Sequence, residues 1–301
     1  PPIPTFTGTK VFEDYDLAEI RQYIDWGPFF IAWEMKGKFP DILTDEHAGV
    51  EATKLYNDAN ALLDKIIAEK WLTAKGVVGF WQAHKIAPDT IELKDDKGHE
   101  LCFLESLRQQ QKKAAGQPHF SLSDFIKPAE KGTDYMGAFA VSIHGIESHL
   151  KRFIDNHDDY NKIMLQAMAD RLAEAFAEVL HKRTRTEFWG YVAEENLTAE
   201  DLVKEKYQGI RPAPGYPACP DHTEKYKLFD LLKATENAGI QLTESLAMYP
   251  GASVCGWYFS HPQSTYFGVG KIQHDQLTDY AHRKGMSIEE ATKWLSPVLE
   301  G

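Results

Sequence analysis

The stretch RPAPGYPACP, from Arg211 to Pro220, contains four prolines and constrains the fold more than any other part of the chain. Proline fixes φ and has no N–H, so this stretch can form neither the interior of a helix nor a central strand. Its carbonyls remain hydrogen-bond acceptors, and its restricted backbone loses little entropy when a ligand binds. The pattern predicts a rigid loop directly before a helix.

The side chains of this loop suit a small zwitterionic or cationic ligand that carries a carboxylate. Arg211 can pair with a carboxylate through two hydrogen bonds. Gly215 lets a ligand approach the backbone closely, and the ring of Tyr216 can attract a cation. In the alternative interpretation, the loop braces the following helix and Arg211 forms an ordinary surface ion pair. The residues alone leave both interpretations open.

Composition and charge exclude several classes of protein. The 301 residues are 43% hydrophobic, enough for the core of one large domain or two small ones. The net charge of −12 argues against a nucleic-acid partner or an anionic membrane surface, and no apolar run is long enough to predict a transmembrane helix. Three scattered cysteines, Cys102, Cys219 and Cys255, fit a reducing compartment, so we expect a cytoplasmic protein without disulfides.

Several familiar motifs are missing. The chain has no G-x-G-x-x-G after a strand and no phosphate-binding P-loop, so neither a dinucleotide fold nor a P-loop enzyme is indicated. Cys219 and His222 form a lone C-x-x-H, whereas a structural zinc site needs about four ligands. The chain starts at Pro1, which suggests a processed start or excision from something longer, and we expect residues 1–15 to form an extended arm.

Hydrophobic periodicity predicts many helices and few strands, some of them joined as hairpins. Residues 24–35 lead into a short buried helix or strand, and Ser287 begins a capping box. This order indicates an α+β fold and not a regular alternation of strands and helices. We predict strands at 76–83, 90–94, 100–104, 135–143, 253–260 and 266–272, and helices at about 45–70 (with Thr44 as N-cap), 105–114, 158–187, 198–207, 221–238, 273–284 and from 287.

Three acids, Asp170, Glu174 and Glu178, are spaced by four residues on one face of the predicted helix 158–187, opposite its apolar stripe. Like charges at this spacing repel each other slightly. Such a row is usually a solvated face; the other interpretation is a ligand or partner surface.

Five blocks, in chain order, resemble the C-terminal reactivation module of cobalamin-dependent methionine synthase, and the resemblance runs from about residue 20 to 296. It implies one domain, 1–301, that is a single curved α+β body with several helices around a twisted antiparallel sheet. The blocks are IDWGPFF (24–30), HDDYNKIM (157–164), DRLAEAFAE (170–178), GIRPAPGYPACPDHTEK (209–225) and GASVCGWYFSHP (251–262).

The resemblance implies that the module binds S-adenosylmethionine and positions its methyl group for reductive methylation of cob(II)alamin. The cobalamin is carried by a neighbouring module of the same polypeptide, and a flavodoxin or related flavoprotein supplies the electron. The chain would then be a fragment of a methyltransferase acting on 5-methyltetrahydrofolate and homocysteine, inactive alone, with zinc only in the absent homocysteine module. The alternative is a non-catalytic docking module for a flavodoxin-like or corrinoid protein.

The resemblance also implies a set of ligand contacts, with no catalytic residue and no metal ligand in this chain. Phe267 stands where the family member used for comparison has tyrosine, which leaves only a ring or backbone contact there. Asp170 is a candidate for contact with the cobalamin module. The implied ligand contacts are Asp25 with the ligand's amino group, Arg211 with its carboxylate, Ala213 through its backbone, the aromatic residues Tyr216, Tyr266 and Phe267, and the acids Glu174 and Glu205.

Overall fold

The computed structural model describes residues 1–300, and its centre is a six-stranded sheet in which every pair of neighbouring strands is antiparallel. The order is β4-β3-β2-β5-β8, and β1 also pairs with β2. The strands are β1 Gly8–Tyr15, β2 Thr73–Ala87, β3 Thr90–Lys94, β4 Glu100–Glu105, β5 Asp134–His144 and β8 Ser253–Tyr258, while β6 Gln241–Leu242 and β7 Met248–Tyr249 form a separate ribbon.

Strand β2 organises the sheet because it is long enough to pair with three partners. On one edge it pairs with β5 from Thr73 to Ala83. On the other edge β1 lies opposite residues 74–80, and β3 lies opposite residues 82–87. Within the predicted extended arm of residues 1–15, residues 8–15 form β1 and pair with β2. The prolines end at Pro4, and the following segment GTKVFEDY is rich enough in β-branched and aromatic residues to form a strand.

Ten helices of residues 1–300 surround the sheet. The longest, α5, begins after Asp158, whose side chain accepts a hydrogen bond from the Asn161 amide, and it ends in a π-helical turn at Thr184–Phe188. The helices are α1 Leu17–Ile20, α2 Gly27–Ala32, α3 Gly49–Ala68, α4 Ile146–Asp155, α5 Asp159–Arg183, α6 Ala199–Val203, α7 Glu224–Leu232, α8 Ala234–Ala238, α9 His274–Lys284 and α10 Ile288–Leu295.

Both faces of the sheet are buried. Alternate residues of β2 and β5 point to opposite faces, and each set packs into a different hydrophobic core. Val78, Phe80 and Phe139 belong to the core that includes α3 and α5. Val77 and Ala138 belong to a second core, with α7 and α8. Because both faces are buried, the sequences of β2 and β5 contain nearly continuous runs of apolar residues. The α+β fold with an antiparallel sheet in one domain is confirmed.

One predicted helix and one predicted strand are wrong, because their backbone amides donate to carbonyls elsewhere in the chain. The segment 105–114 is not a helix, since the Gln109 amide donates to the Phe120 carbonyl. The segment 266–272 is not a strand of the sheet, since the Val269 amide donates to the Pro217 carbonyl. This contact ties 266–272 to the proline loop.

Several helix boundaries differ from the prediction. Helix α3 begins at Gly49 and not near Asp45, whose side chain accepts from the His47 and Ala48 amides and closes a turn before the helix. The predicted helix 221–238 starts later and divides at Lys233, which adopts the left-handed conformation with φ 46° and ψ 50°.

No helix of residues 1–300 is both long and apolar enough to cross a membrane.

Candidate functional site

The proline loop 211–220 lies beside β8 and continues the sheet for a few residues. Ile210 and Phe259 exchange two backbone hydrogen bonds of 3.0 Å, and the Pro212 carbonyl accepts from the Trp257 amide at 2.9 Å. Gly256 permits this approach, because a Cβ there would lie 3.0 Å from the Pro212 oxygen. Pro212 has no N–H to return, so the pairing stops at that residue.

Beyond Pro212 the loop closes into a tight turn. The Tyr216 amide donates to the Ala213 carbonyl at 3.1 Å, and the Gly215 amide donates to the Cys219 carbonyl at 2.7 Å. Gly215 has φ +92°, a conformation that favours glycine. The carbonyls of Pro212, Ala213 and Pro217 thus already hold the loop in place. The stiffness of the loop therefore comes partly from hydrogen bonds that these carbonyls accept within the chain.

A cavity of about 770 Å³ follows the loop, and its volume is in the range of small-molecule sites. Its wall contains most of the binding residues that the resemblance implies. Tyr216, 64% exposed, is one of the wall residues that faces solvent. The predicted residues in this wall are Arg211, Ala213, Tyr216, Tyr266, Phe267, Glu174 and Glu205.

Asp25, the remaining predicted residue, lines a neighbouring cavity of about 310 Å³. Its carboxylate accepts from the Gly27 amide at 2.9 Å, just before α2. Glu174, Glu205 and Arg211 line both cavities, so the two meet at these three side chains. The structure therefore brings all eight predicted residues to two adjoining cavities.

Arg211 is oriented by α5 from the side opposite the loop. Its Nη2 donates to Glu178 Oε2 at 2.8 Å, and its Nη1 donates to His181 Nδ1 at 2.9 Å. Burial disfavours the charged guanidinium, but the Glu178 carboxylate outweighs this effect and the pKa of Arg211 stays above its usual value. The Nε–H and one Nη2–H have no partner within residues 1–300. Arg211 can thus hold a second carboxylate while it stays paired with Glu178.

His181 acts as a neutral acceptor in this arrangement. It is fully buried, and burial, together with the charges of Arg185 and Arg211, holds the pKa of its imidazole well below the usual range. Its ring stacks on Tyr258 with 5.3 Å between centroids. The sequence reasoning missed His181; the available signal was its position three residues after Glu178, which places both on one face of α5.

Tyr266 joins the loop to the opposite wall. Its hydroxyl accepts from the Arg211 amide at 3.0 Å and lies 3.0 Å from the Tyr207 hydroxyl. The neighbouring Phe267 packs against Phe120 and Phe125, with ring centroids 5.9 and 6.2 Å apart. The Phe267 ring therefore sits in an aromatic cluster where a hydroxyl is not needed for packing.

Two other expectations concern a contact with the cobalamin module and a possible metal site. Asp170 is exposed on α5, one turn before Glu174, and it is not among the residues that line either cavity. Its role stays a prediction. Residues 1–300 contain no group of three or more histidine, cysteine or acidic side chains placed to hold a metal ion. Within the C-x-x-H, the Cys219 thiol is buried with a raised pKa, and His222 accepts from Lys225.

Comparison with known proteins decides the family. The family model described as "Vitamin B12 dependent methionine synthase, activation domain" matches residues 16–285. The chain belongs to this family. A solved structure described as the MetH reactivation domain bound to AdoHcy (S-adenosylhomocysteine) is 50% identical, with a TM-score of 0.95 over 100% of this chain and 93% of that chain. The family and the fold implied by the sequence resemblance are thus confirmed.

Proposed function

We propose that this chain binds S-adenosylmethionine and presents its methyl group to a cobalamin carried by a neighbouring module. The observation that carries the proposal is the pair of adjoining cavities that meet at Arg211, Glu174 and Glu205. The related reactivation domain binds S-adenosylhomocysteine, which is what remains of S-adenosylmethionine after the methyl group leaves.

The charges around the cavities suit this ligand. The unpartnered N–H groups of Arg211 can bind the ligand carboxylate side-on. Asp25, Glu174 and Glu205 offer carboxylates for its ammonium group and for the positive sulfonium. The acids of the two walls outnumber the cations Arg171, Arg211 and Lys225 by one, so the balance of charge favours a ligand with net positive charge.

The role of this chain in such a reaction is to bind and orient. The cobalamin of the neighbouring module supplies the atom that receives the methyl group, so no nucleophile or general base is required here. Holding methyl, sulfur and acceptor in line can lower the barrier by several kcal/mol. The rigid loop and the fixed Arg211 provide such a frame. A flavodoxin or related flavoprotein supplies the electron, and the chain alone does not turn over homocysteine.

The test is calorimetric titration of the chain with S-adenosylmethionine and with S-adenosylhomocysteine. Arg211→Ala is expected to weaken binding about 30- to 100-fold, because the charge-assisted bonds to the ligand carboxylate are lost. Arg152→Ala is the matched control, since Arg152 is an exposed arginine on α4 away from both cavities, and it should bind as the unchanged chain does.

Two results would contradict parts of the proposal. Equal affinities of Arg211→Ala and the unchanged chain would remove Arg211 from the ligand contact. No heat at millimolar ligand with the unchanged chain would favour the non-catalytic docking module. Arg211→Lys separates binding from folding, because it keeps a cation beside Glu178 but cannot bind a carboxylate side-on.

A further inference from the structure

The large cavity has a second polar region that the proposed ligand contacts do not use. Lys225 of α7 lines it together with His222, Met248, Ser253 and Cys255. Lys225 lines only the larger cavity, whereas the acids Glu174 and Glu205 lie where the two cavities meet. Arg211 and Lys225 therefore place two cations on the wall of one cavity, but only Arg211 has a carboxylate partner.

Lys225 is a buried lysine without a counter-charge. It is 6% exposed, and its Nζ donates to the Leu246 carbonyl at 2.6 Å and to His222 Nδ1 at 3.0 Å. Both acceptors are neutral, because burial and the nearby Lys225 charge lower the pKa of His222. An ammonium group has three N–H donors, so one has no partner within residues 1–300.

Cys255, the other titratable side chain that acts on Lys225, does not supply the missing charge either. Burial raises the pKa of the Cys255 thiol to about 12, so it is uncharged at neutral pH. Burial likewise lowers the pKa of Lys225 from its usual value. A buried cation with only neutral partners is costly, and such groups in a cavity wall are frequent at binding sites.

We propose that Lys225 donates its third N–H to a hydrogen-bond acceptor on the nucleoside half of the bound ligand. This inference rests on the proposed function. The charged groups of S-adenosylmethionine are at its amino-acid and sulfonium end, which Arg211 and the acids accommodate. The nucleoside half carries only neutral acceptors, namely purine ring nitrogens and ribose oxygens. Lys225 thereby selects for the nucleoside, while Arg211 selects for the amino acid.

The alternative for Lys225 is structural. Its bond to the Leu246 carbonyl ties α7 to the turn between β6 and β7, and the His222 ring packs against Gly215 of the proline loop. Under this alternative the substitution of Lys225 destabilises the fold or weakens every ligand equally. Ligand analogues that lack a single acceptor atom separate the two explanations, because the protein itself stays unchanged.

The experiment compares S-adenosylhomocysteine with its 1-deaza, 3-deaza and 7-deaza analogues and with its 2′-deoxy and 3′-deoxy analogues, by calorimetry. We expect one analogue to bind the unchanged chain about tenfold or more weakly than the parent compound, and that difference to disappear in Lys225→Met. A deaza analogue would identify a ring nitrogen as the acceptor, and a deoxy analogue a ribose oxygen. Lys233→Met is the control, because Lys233 is exposed between α7 and α8 and lines neither cavity.

Identical analogue ratios in Lys225→Met and the unchanged chain would overturn the inference. If Lys225→Met does not fold, a crystal structure of the unchanged chain with S-adenosylhomocysteine decides, with Nζ expected about 3 Å from a nucleoside acceptor. A bound nucleoside with no acceptor near Nζ in that structure would also overturn the inference. Failure of the unchanged chain to bind S-adenosylhomocysteine would instead contradict the proposed function itself.

Discussion

Arg211 is held in place by the chain itself, as its proposed contact with a ligand carboxylate requires. Its backbone belongs to the rigid loop, and its guanidinium is fixed by Glu178 and His181 of α5. A side chain already held in place loses less entropy on binding. The sequence indicated Arg211 as a carboxylate partner, but not the partner it has within the chain. That pairing depends on tertiary contact between α5 and the loop, which no local pattern encodes.

Glu178→Gln tests whether the internal carboxylate competes with the ligand. The variant keeps the shape and an acceptor oxygen but removes the negative charge beside Arg211. We expect S-adenosylhomocysteine to bind about three- to tenfold more tightly, as measured by calorimetry. Glu187→Gln is the control, because Glu187 pairs with Arg183 on the outside of the chain. Weaker binding in Glu178→Gln would mean that Glu178 orients Arg211 more than it competes for it.

We predict that His181 makes the free energy of unfolding depend on pH. It stays neutral in the folded chain because its pKa is lowered, whereas in the unfolded chain it takes up a proton below about pH 6.5. The unfolded chain then binds more protons, so the free energy of unfolding falls as the pH drops below that value, by up to about 1.4 kcal/mol per pH unit from this group.

The measurement is denaturant unfolding at a series of pH values between 7 and 5. His181→Asn keeps an acceptor near the position of Nδ1 but cannot be protonated, so its stability should fall less steeply over this range. The other histidines are common to both chains and cancel in the comparison. Parallel curves would show that His181 does not contribute to the slope.

At the scale of elements, the site is where a loop, a helix and an irregular segment meet. The sequence predicted the loop well, because proline restricts the backbone locally. It placed 266–272 wrongly as a strand, because YFGVGKI has strand-like composition while the Val269 amide is used by Pro217. Composition indicates the secondary structure that a segment prefers, but the tertiary contact with Pro217 determines the structure of 266–272.

Gly215→Ala tests the rigidity of the loop. Gly215 has φ +92°, which strains any other residue, and an added Cβ would lie 2.2 Å from Cε1 of His222, so the turn or the His222 ring must shift. We expect a loss of about 1–3 kcal/mol in stability and at least about tenfold weaker ligand binding. The readouts are thermal unfolding and calorimetry.

Gly251→Ala is the matched control for this substitution. A Cβ at Gly251 meets no atom within 4 Å, and the residue is not in the left-handed region. It should leave both the stability and the affinity nearly unchanged. If Gly215→Ala behaved like Gly251→Ala, the turn would be more adaptable than its contacts indicate.

At the scale of the whole molecule, a buried ion network fastens α9 to the start of α7. The Nζ of Lys284 lies 2.7 Å from Asp221 Oδ2 and 2.6 Å from Glu224 Oε1, and all three side chains are almost inaccessible to solvent. The α+β class was predictable from periodicity and the antiparallel sheet from the family resemblance, but this network was not. Asp221 and Glu224 are close together in the sequence, but their cation, Lys284, lies 60 residues beyond Glu224, so no local spacing connects it to them.

Lys284→Met is expected to destabilise the chain by about 3–5 kcal/mol, because it leaves two buried carboxylates without their shared cation. Denaturant unfolding measures the loss directly. Lys293→Met, at an exposed position on α10, should change the stability by less than about 0.5 kcal/mol. A loss in Lys284→Met no larger than in this control would show that the remaining partners, Tyr280 and Lys227, suffice.

The missing donor of Pro212 also affects how the molecule behaves toward its own copies. A strand at the border of a sheet normally displays unpaired amides and carbonyls that invite a strand from another chain. At the end of β8, beside residues 257–259, that position is taken by residues 210–212 of the same chain, and Pro212 has no N–H to donate a further bond. Residues at the start of the proline loop, which line the large cavity, therefore also cover this end of the sheet edge and leave fewer backbone groups there for a strand of another copy.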